Sequence, residues 1–201
     1  MPVNTTKIFL FVDGSNLYAG QYELFGPNRH LFFPNFISQV EKKLKIKFAK
    51  IYFYASYSPK PKRLTRKTKQ YLKNEAFFYQ SVRKTKNTVF FKGYRSKTSG
   101  KEKEVDVKLA VDIVDFAHRG EYDSVYLFSG DADFMHALKV ADNLSKRIYI
   151  IALENRIPHR FSFIYQTYIF SFSKFKEKIL PVQKIKIVSL NWKEVIKTIR
   201  S

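Results

Sequence analysis

Five short apolar runs separated by segments of helical period constrain this chain more than any other feature. They are Lys7–Val12 (KIFLFV), Ala49–Tyr54 (AKIYFY), Thr88–Gly93, Val125–Phe128 and Arg147–Leu153. The first is apolar without alternation, the pattern of a strand covered on both faces. The spacers read as helices. A short one lies near Leu17–Leu24, and Pro34–Leu44 carries Phe36, Ile37, Val40 and Leu44 at helical spacing. Lys62–Lys84 carries Leu64, Tyr71, Leu72, Phe78 and Val82, and Val105–His118 and Phe134–Leu144 follow. Strand and helix in alternation predict an α/β fold: a mainly parallel sheet of five to six strands, flanked by helices on both faces. Phe161–Tyr165 reads as a last helical turn and Tyr168–Phe172 as an edge strand.

A length of 201 residues fits one domain with a small appendage. The division falls after Ser173, giving a domain over 1–173 and an extension over 174–201. In the extension, Ile185, Ile187 and Val188 hint at a strand. Asn191 with Glu194 resembles a capping box opening a helix to Ile199. Apolar residues at 45% supply a core and exclude wholesale disorder. With no Cys, a disulfide frame, a thiolate zinc site and a thiol nucleophile are all excluded. Met1–Thr6 is polar, and the apolar run Ile8–Val12 is too short for a secretory leader. The nearest approach to a membrane span, Phe161–Phe172, is broken by Ser162, Gln166, Thr167 and Ser171. The expectation is a soluble, cytoplasmic protein without a membrane partner.

The net charge of +20 is segregated. Glu41–Lys101 holds 19 Lys and Arg against two acids, Glu41 and Glu75, while the rest of the chain is close to balanced. Compositional bias explains abundance of lysine but not its confinement to one region. A basic face for a polyanion accounts for both.

The carboxylates are segregated in the opposite sense. Asp13 follows the first strand, Asp106 opens the helix after the third, and Asp131 and Asp133 follow the fourth in Ser129-Gly-Asp-Ala-Asp133. In a parallel sheet all strand carboxyl ends share one edge, and ligands bind in the crevice outside it. Asp13, Asp106, Asp131 and Asp133 therefore converge from three segments, with Asn16 and Ser129 beside them. The basic loops Ser58–Arg66 (with Lys60, Lys62, Arg63 and Arg66) and Tyr94–Lys103 (with Arg95, Lys97 and Lys101) leave the same edge. Two carboxylates ~5 Å apart repel by roughly 3 kcal/mol at an effective dielectric of ~20. A divalent cation removes that cost, and an all-oxygen donor set suits Mg²⁺ or Mn²⁺. An acidic centre between basic walls points to phosphodiester hydrolysis by an activated water.

Asp112 and Asp115 read as outer-face charges, paired with Lys108 and Arg119 at helical spacing. The four His residues are scattered without metal-ligand spacing, and His136 reads as solvated. No GxxxxGK[ST] or GxGxxG loop is present, which argues against nucleotide hydrolysis or a dinucleotide site. Ser129-Gly130-Asp131 is no nucleophile elbow, which requires GxSxG.

Together Phe11–Tyr18 (FVDGSNLY), Glu104–Val114 (EVDVKLAVDIV) and Phe128–Phe134 (FSGDADF) resemble an NYN domain of the PIN-like nuclease superfamily, nearest its LabA-like branch, over about Lys7 to Phe172. The resemblance implies a Rossmann-like sheet and metal-dependent cleavage of RNA. It carries metal-ligand roles to Asp13, Asp106, Asp131 and Asp133, the adjacent amide to Asn16 and a small hydroxyl to Ser129. The family pattern often has an acid at the position of Asp112 as well.

The leading expectation is a ribonuclease using Mg²⁺ or Mn²⁺, with nucleic acid, most simply RNA, as partner and homo-oligomerisation left open. The competing expectation is a nucleic-acid-binding module with a non-catalytic metal site. A phosphatase of the haloacid dehalogenase type needs a second Asp two residues after the first; Ser15 stands there.

Overall fold

The computed structural model describes residues 6–26, 30–59, 61, 63–95, 102–156, 164–172, 179–180 and 185–190. The chain alternates as its apolar runs require. Strand β1 (Ile8–Asp13) leads into helix α1 (Gly14–Phe25), and the two-residue β2 (His30–Leu31) into α2 (Phe33–Leu44). Then come β3 (Lys50–Ala55), α3 (Arg66–Arg83) and β4 (Thr88–Lys92). A short hairpin of β5 (Tyr94–Arg95) and β6 (Glu102–Lys103) precedes α4 (Val105–His118). After β7 (Ser124–Phe128), a 3₁₀ turn (Ala132–Phe134) leads into α5 (Met135–Asn143), followed by β8 (Arg147–Leu153) and β9 (Gln166–Phe172). β10 (Ile179–Leu180) and β11 (Ile185–Leu190) belong to the C-terminal stretch.

One sheet runs β4-β3-β1-β7-β8-β9-β11. Its first six strands are mutually parallel and β11 is antiparallel to β9. Each strand of the centre serves two cores. On β1, Leu10 and Val12 pack with Leu17 of α1, Phe36 of α2 and Phe78 of α3. Phe9 and Phe11 pack on the other face with Leu109 and Ile113 of α4 and Leu138 of α5. That division explains why Lys7–Val12 shows no polar alternation. Phe36, Phe53 and Phe78 are 0% exposed, and each such ring stabilises the fold by roughly 1.5–3 kcal/mol relative to exposure.

The fold class read from the sequence holds, while several boundaries move for local reasons. α1 begins directly at Gly14, because Asp13 Oδ1 caps it by accepting from the Asn16 amide at 2.9 Å. α3 begins at Arg66 rather than Lys62, where Thr65 caps by accepting from the Thr68 amide at 3.1 Å. Leu64, expected on the apolar face of that helix, is therefore outside it and 47% exposed. The polar loop Tyr94–Lys103 contains the β5–β6 pairing. β9 is not an edge strand, since the hinted strand of the extension forms as β11 and covers it. Residues 161–163 of the expected helical turn and the expected helix from Asn191 lie outside the described residues. Among the described residues, no helix is long and apolar enough to cross a membrane.

Candidate active site at the switch point of the sheet

The chain moves outward from β1 through β3 to β4, then returns to β7 and moves outward the other way through β8 to β9. β1 and β7 are therefore neighbours whose connections diverge, and a crevice opens above their carboxyl ends. Val12 pairs with Phe128 in the register, so the next residues, Asp13 and Ser129, face each other across it.

Ser129 is fully buried, and its hydroxyl joins the two strand ends. It donates to Asp13 Oδ2 at 2.8 Å and accepts from the Asp131 amide at 3.0 Å. Asp13 is 5% exposed and uses its other oxygen to cap α1. Asp131 Oδ1 in turn accepts from the Asp133 amide at 3.0 Å and caps the 3₁₀ turn. The Gly130 amide approaches Asn16 Oδ1 at 3.4 Å. Asp13, Asn16, Ser129 and Asp131 thus form one connected group, and Asp133 is attached to it through its backbone. Asp131 and Asp133 are both exposed.

A cleft of about 500 Å³ lies beside this group, lined by Asn16, Gly130, Asp131, Ala132, Glu154, Asn155 and Arg156. The last three form its far wall, which sequence reasoning missed. They directly follow β8, and the same strand-end rule that located Asp13 and Asp131 places them at this edge. Asn155 donates through Nδ2 to the Gly20 carbonyl and to Glu23 Oε2, both at 3.0 Å, and Arg156 pairs with Glu23. These bonds hold the wall against α1.

Asp106 stands in the first turn of α4 and is exposed. Glu104 before it adopts φ 71°, a left-handed conformation that costs a non-glycine residue about 1–2 kcal/mol. Asp112 corrects the sequence reading. It does pair with Lys108 as expected, but it is 6% exposed and accepts from the Tyr54 hydroxyl at 2.8 Å. The buried stripe of α4 is Val105, Leu109, Asp112, Ile113 and Phe116, with Asp106 off it. Burial, and next the hydrogen bond to Asp112, push the Tyr54 phenol far above its ordinary pKa, so it remains a donor. Asp115 is half-exposed and pairs with Arg119 at 3.0 Å, as read. His136 is exposed.

Among the described residues, no three acidic or imidazole side chains stand close enough together to enclose an ion. Asp13 and Asp131 are linked through Ser129, by the carboxylate of the first and the backbone amide of the second. Arg63 and Arg66 are exposed at the start of α3, on the edge where β3 ends. Ser58, just after β3, is tied down by Glu75, whose oxygens accept from its amide at 3.0 Å and its hydroxyl at 2.6 Å. Lys60, Lys62, Lys97 and Lys101 lie outside the described residues; Arg95 has its backbone in β5.

A parallel sheet flanked by helices, with acidic residues at its switch point, defines the class: an α/β protein with its candidate site at the strand ends. The NYN domain family model matches residues 7–172, and the chain belongs to that family. The fold is similar to that of a protein of unknown function from Vibrio parahaemolyticus, with a TM-score of 0.60 at 18% identity over 92% of this chain and 99% of that one. No curated protein matches the chain significantly.

Proposed function

We propose that this chain is a metal-dependent ribonuclease whose site is the Asp13–Ser129–Asp131 group and the cleft beside it. The observation that carries the reading is the buried Ser129 hydroxyl binding two acidic strand ends together at the switch point, 2.8 Å from one carboxylate and 3.0 Å from the amide of the other residue. Membership of the NYN family supplies the nuclease class.

The residues present fit Mg²⁺ or Mn²⁺ in one form. Mg²⁺ is commonly held by one or two carboxylates, with waters and substrate phosphate completing its shell. Asp13 and Asp131 supply such a pair, and Asp133 and Asp106 act from further out. When bound, the ion polarises the phosphoryl oxygen and lowers the pKa of an attacking water. The protein's own groups do the remaining work. Ser129 holds Asp13 in place, Asn16 offers its side chain to the cleft, and Arg156, on the far wall, would supply positive charge to a bound phosphate. Arg63 and Arg66, with the other basic residues of their loop, draw the backbone to the edge by charge.

The test is incubation of labelled RNA and DNA oligomers with Mg²⁺, Mn²⁺ or EDTA, alongside Asp13→Asn and Asp131→Asn. Cleavage of RNA by the wild type, loss in EDTA and loss in both variants with binding retained are expected. Metal at about ten times its Kd should raise the wild-type Tm by about 3–5 °C, and the Asp13→Asn Tm not at all. Undiminished cleavage by both variants defeats the mechanism. Salt-sensitive binding without turnover in any divalent ion replaces it with the binding-module reading.

A further inference from the structure

α3 is built against ordinary helix rules on its outward side. Its first turn contains no acid and opens with Arg66 and Lys67, followed by Lys69, although a helix N-terminus favours negative charge. The single carboxylate of the helix, Glu75, is 3% exposed and turned toward Ser58. None of the outward cations therefore has an acid one turn away on its own helix, the usual arrangement of a solvated helical face.

At about 100° per residue, Arg66, Lys73, Phe77 and Lys84 fall within roughly 40° of one line down the helix surface. The line starts at the sheet edge that carries the cleft and runs about 27 Å away from it. Phe77 is 48% exposed in the middle of this cationic line, with Lys73 Nζ 5.7 Å from its ring centroid. Beside it is a groove of about 330 Å³ lined by Phe77, the partly exposed Phe32, Gln70, Gln80, Lys73 and Lys84. Cations that meet phosphates, exposed rings that meet bases and amides that accept either are the components of a single-strand platform.

We infer that the outward stripe of α3 is a track for single-stranded RNA, with Phe77 as a base-stacking platform and Lys73 and Lys84 as phosphate contacts. It rests on the nuclease reading for the identity of the polyanion, and it extends that site from the cleft along the helix. A duplex keeps its base faces stacked internally and has nothing to offer Phe77, so the track selects single strands.

The experiment is fluorescence anisotropy of a labelled 15-nucleotide RNA with the full chain in EDTA, where cleavage cannot interfere. Phe77→Ala should weaken binding about tenfold or more, and Phe77→Tyr should restore it. The double variant Lys73→Ala, Lys84→Ala should flatten the slope of log K against log salt by about 1.4. Binding by Phe77→Ala within twofold of wild type, or equal affinity for a duplex of the same length, overturns the track. If the wild type fails to cleave in any metal, the nuclease reading falls alone, because the dependence on Phe77 is read without turnover.

Discussion

Gly130 is the point at which the two walls of the cleft touch, and Gly130→Ala tests whether that contact shapes the site. Its φ lies outside the left-handed region, so room and not backbone freedom explains the glycine. A Cβ there would sit 2.4 Å from the Arg156 carbonyl oxygen and 3.1 Å from its carbon. Both obstacles are main chain, and no side-chain rotation relieves them. Restoring ordinary contact requires a shift of about 1 Å between the strand ends of β7 and β8. Neither end is free to give. Ser129 is tied to Asp13 and Asp131, and the Arg156 segment is tied through Asn155 to α1 and through its own amide to the Leu153 carbonyl at 2.9 Å. Overpacking of this kind costs about 1–3 kcal/mol, or about 3–9 °C in Tm for a chain of this size. A misplacement of about 1 Å beside reacting groups costs about 10²-fold in rate. Scanning fluorimetry and RNA cleavage are the paired assays. Gly26→Ala is the control: it sits at φ 71° with nothing within 4 Å, so it loses stability through backbone strain and leaves cleavage unchanged. A wild-type Tm for Gly130→Ala refutes the close approach. A lowered Tm with wild-type cleavage refutes its role in setting the Asp131 wall.

Two further outcomes follow from groups away from the cleft. Burial, foremost, pushes the phenols of Tyr18, Tyr54, Tyr122 and Tyr126 well above their ordinary value of about 10. Above about pH 10 the unfolded chain releases these protons and the folded chain keeps them, so stability is level below that pH and falls above it by about 1.4 kcal/mol per pH unit for each phenol. Urea midpoints that stay constant from about pH 9 to pH 11 contradict the burial of these hydroxyls. Lys45 ends α2 at φ 55° and ψ 42°, where a glycine has no steric penalty. Lys45→Gly should stabilise by about 0.5–1 kcal/mol in the same denaturation assay, and a loss of stability refutes the strain assigned to that cap.

What the sequence made legible was what topology alone decides. Once β1 and β7 are parallel strands, Asp13 and Ser129 must share an edge whatever their neighbours do, and the apolar runs determine those strands. The same rule applied to β8 reaches Glu154, Asn155 and Arg156, yet none of these stands in a recognisable pattern, so the far wall went unread. Helix phase was a weaker guide. Anchoring α4 on Asp106 turned Asp112 outward by inference, whereas Val105, seven residues before Asp112 and two turns back, places it inward. Nothing local to α4 reveals that the hydroxyl of Tyr54, on a strand 58 residues earlier, waits there to satisfy the buried carboxylate. Short pairings such as β5 with β6 are likewise invisible to periodicity, because two residues define no period.

The distribution of charge over the helix starts follows one physical logic. In a parallel sheet every crossover helix begins at the edge where its strand ends, so α1, α4 and the 3₁₀ turn before α5 all start at the same edge of the sheet. Asp13 caps the first, Asp106 stands in the first turn of the second and Asp131 caps the third. Each interaction of this kind stabilises an exposed carboxylate by about 0.3–1 kcal/mol, and more when partly buried. Each acid is thus favoured where it stands before any ion arrives. α3 begins at this edge too, but with Arg66, Lys67 and Lys69 in place of acids. There the dipole and the side chains add rather than cancel, leaving a positive helix start beside a negative crevice. On the proposed nuclease reading, a phosphate backbone laid over that boundary meets attraction on the α3 side and, on the other, carboxylates that a shared cation makes tolerable to it. The same edge geometry therefore accounts for where each acid stands in the free protein and, on the proposed nuclease reading, for the need of a cation once a phosphate backbone is bound.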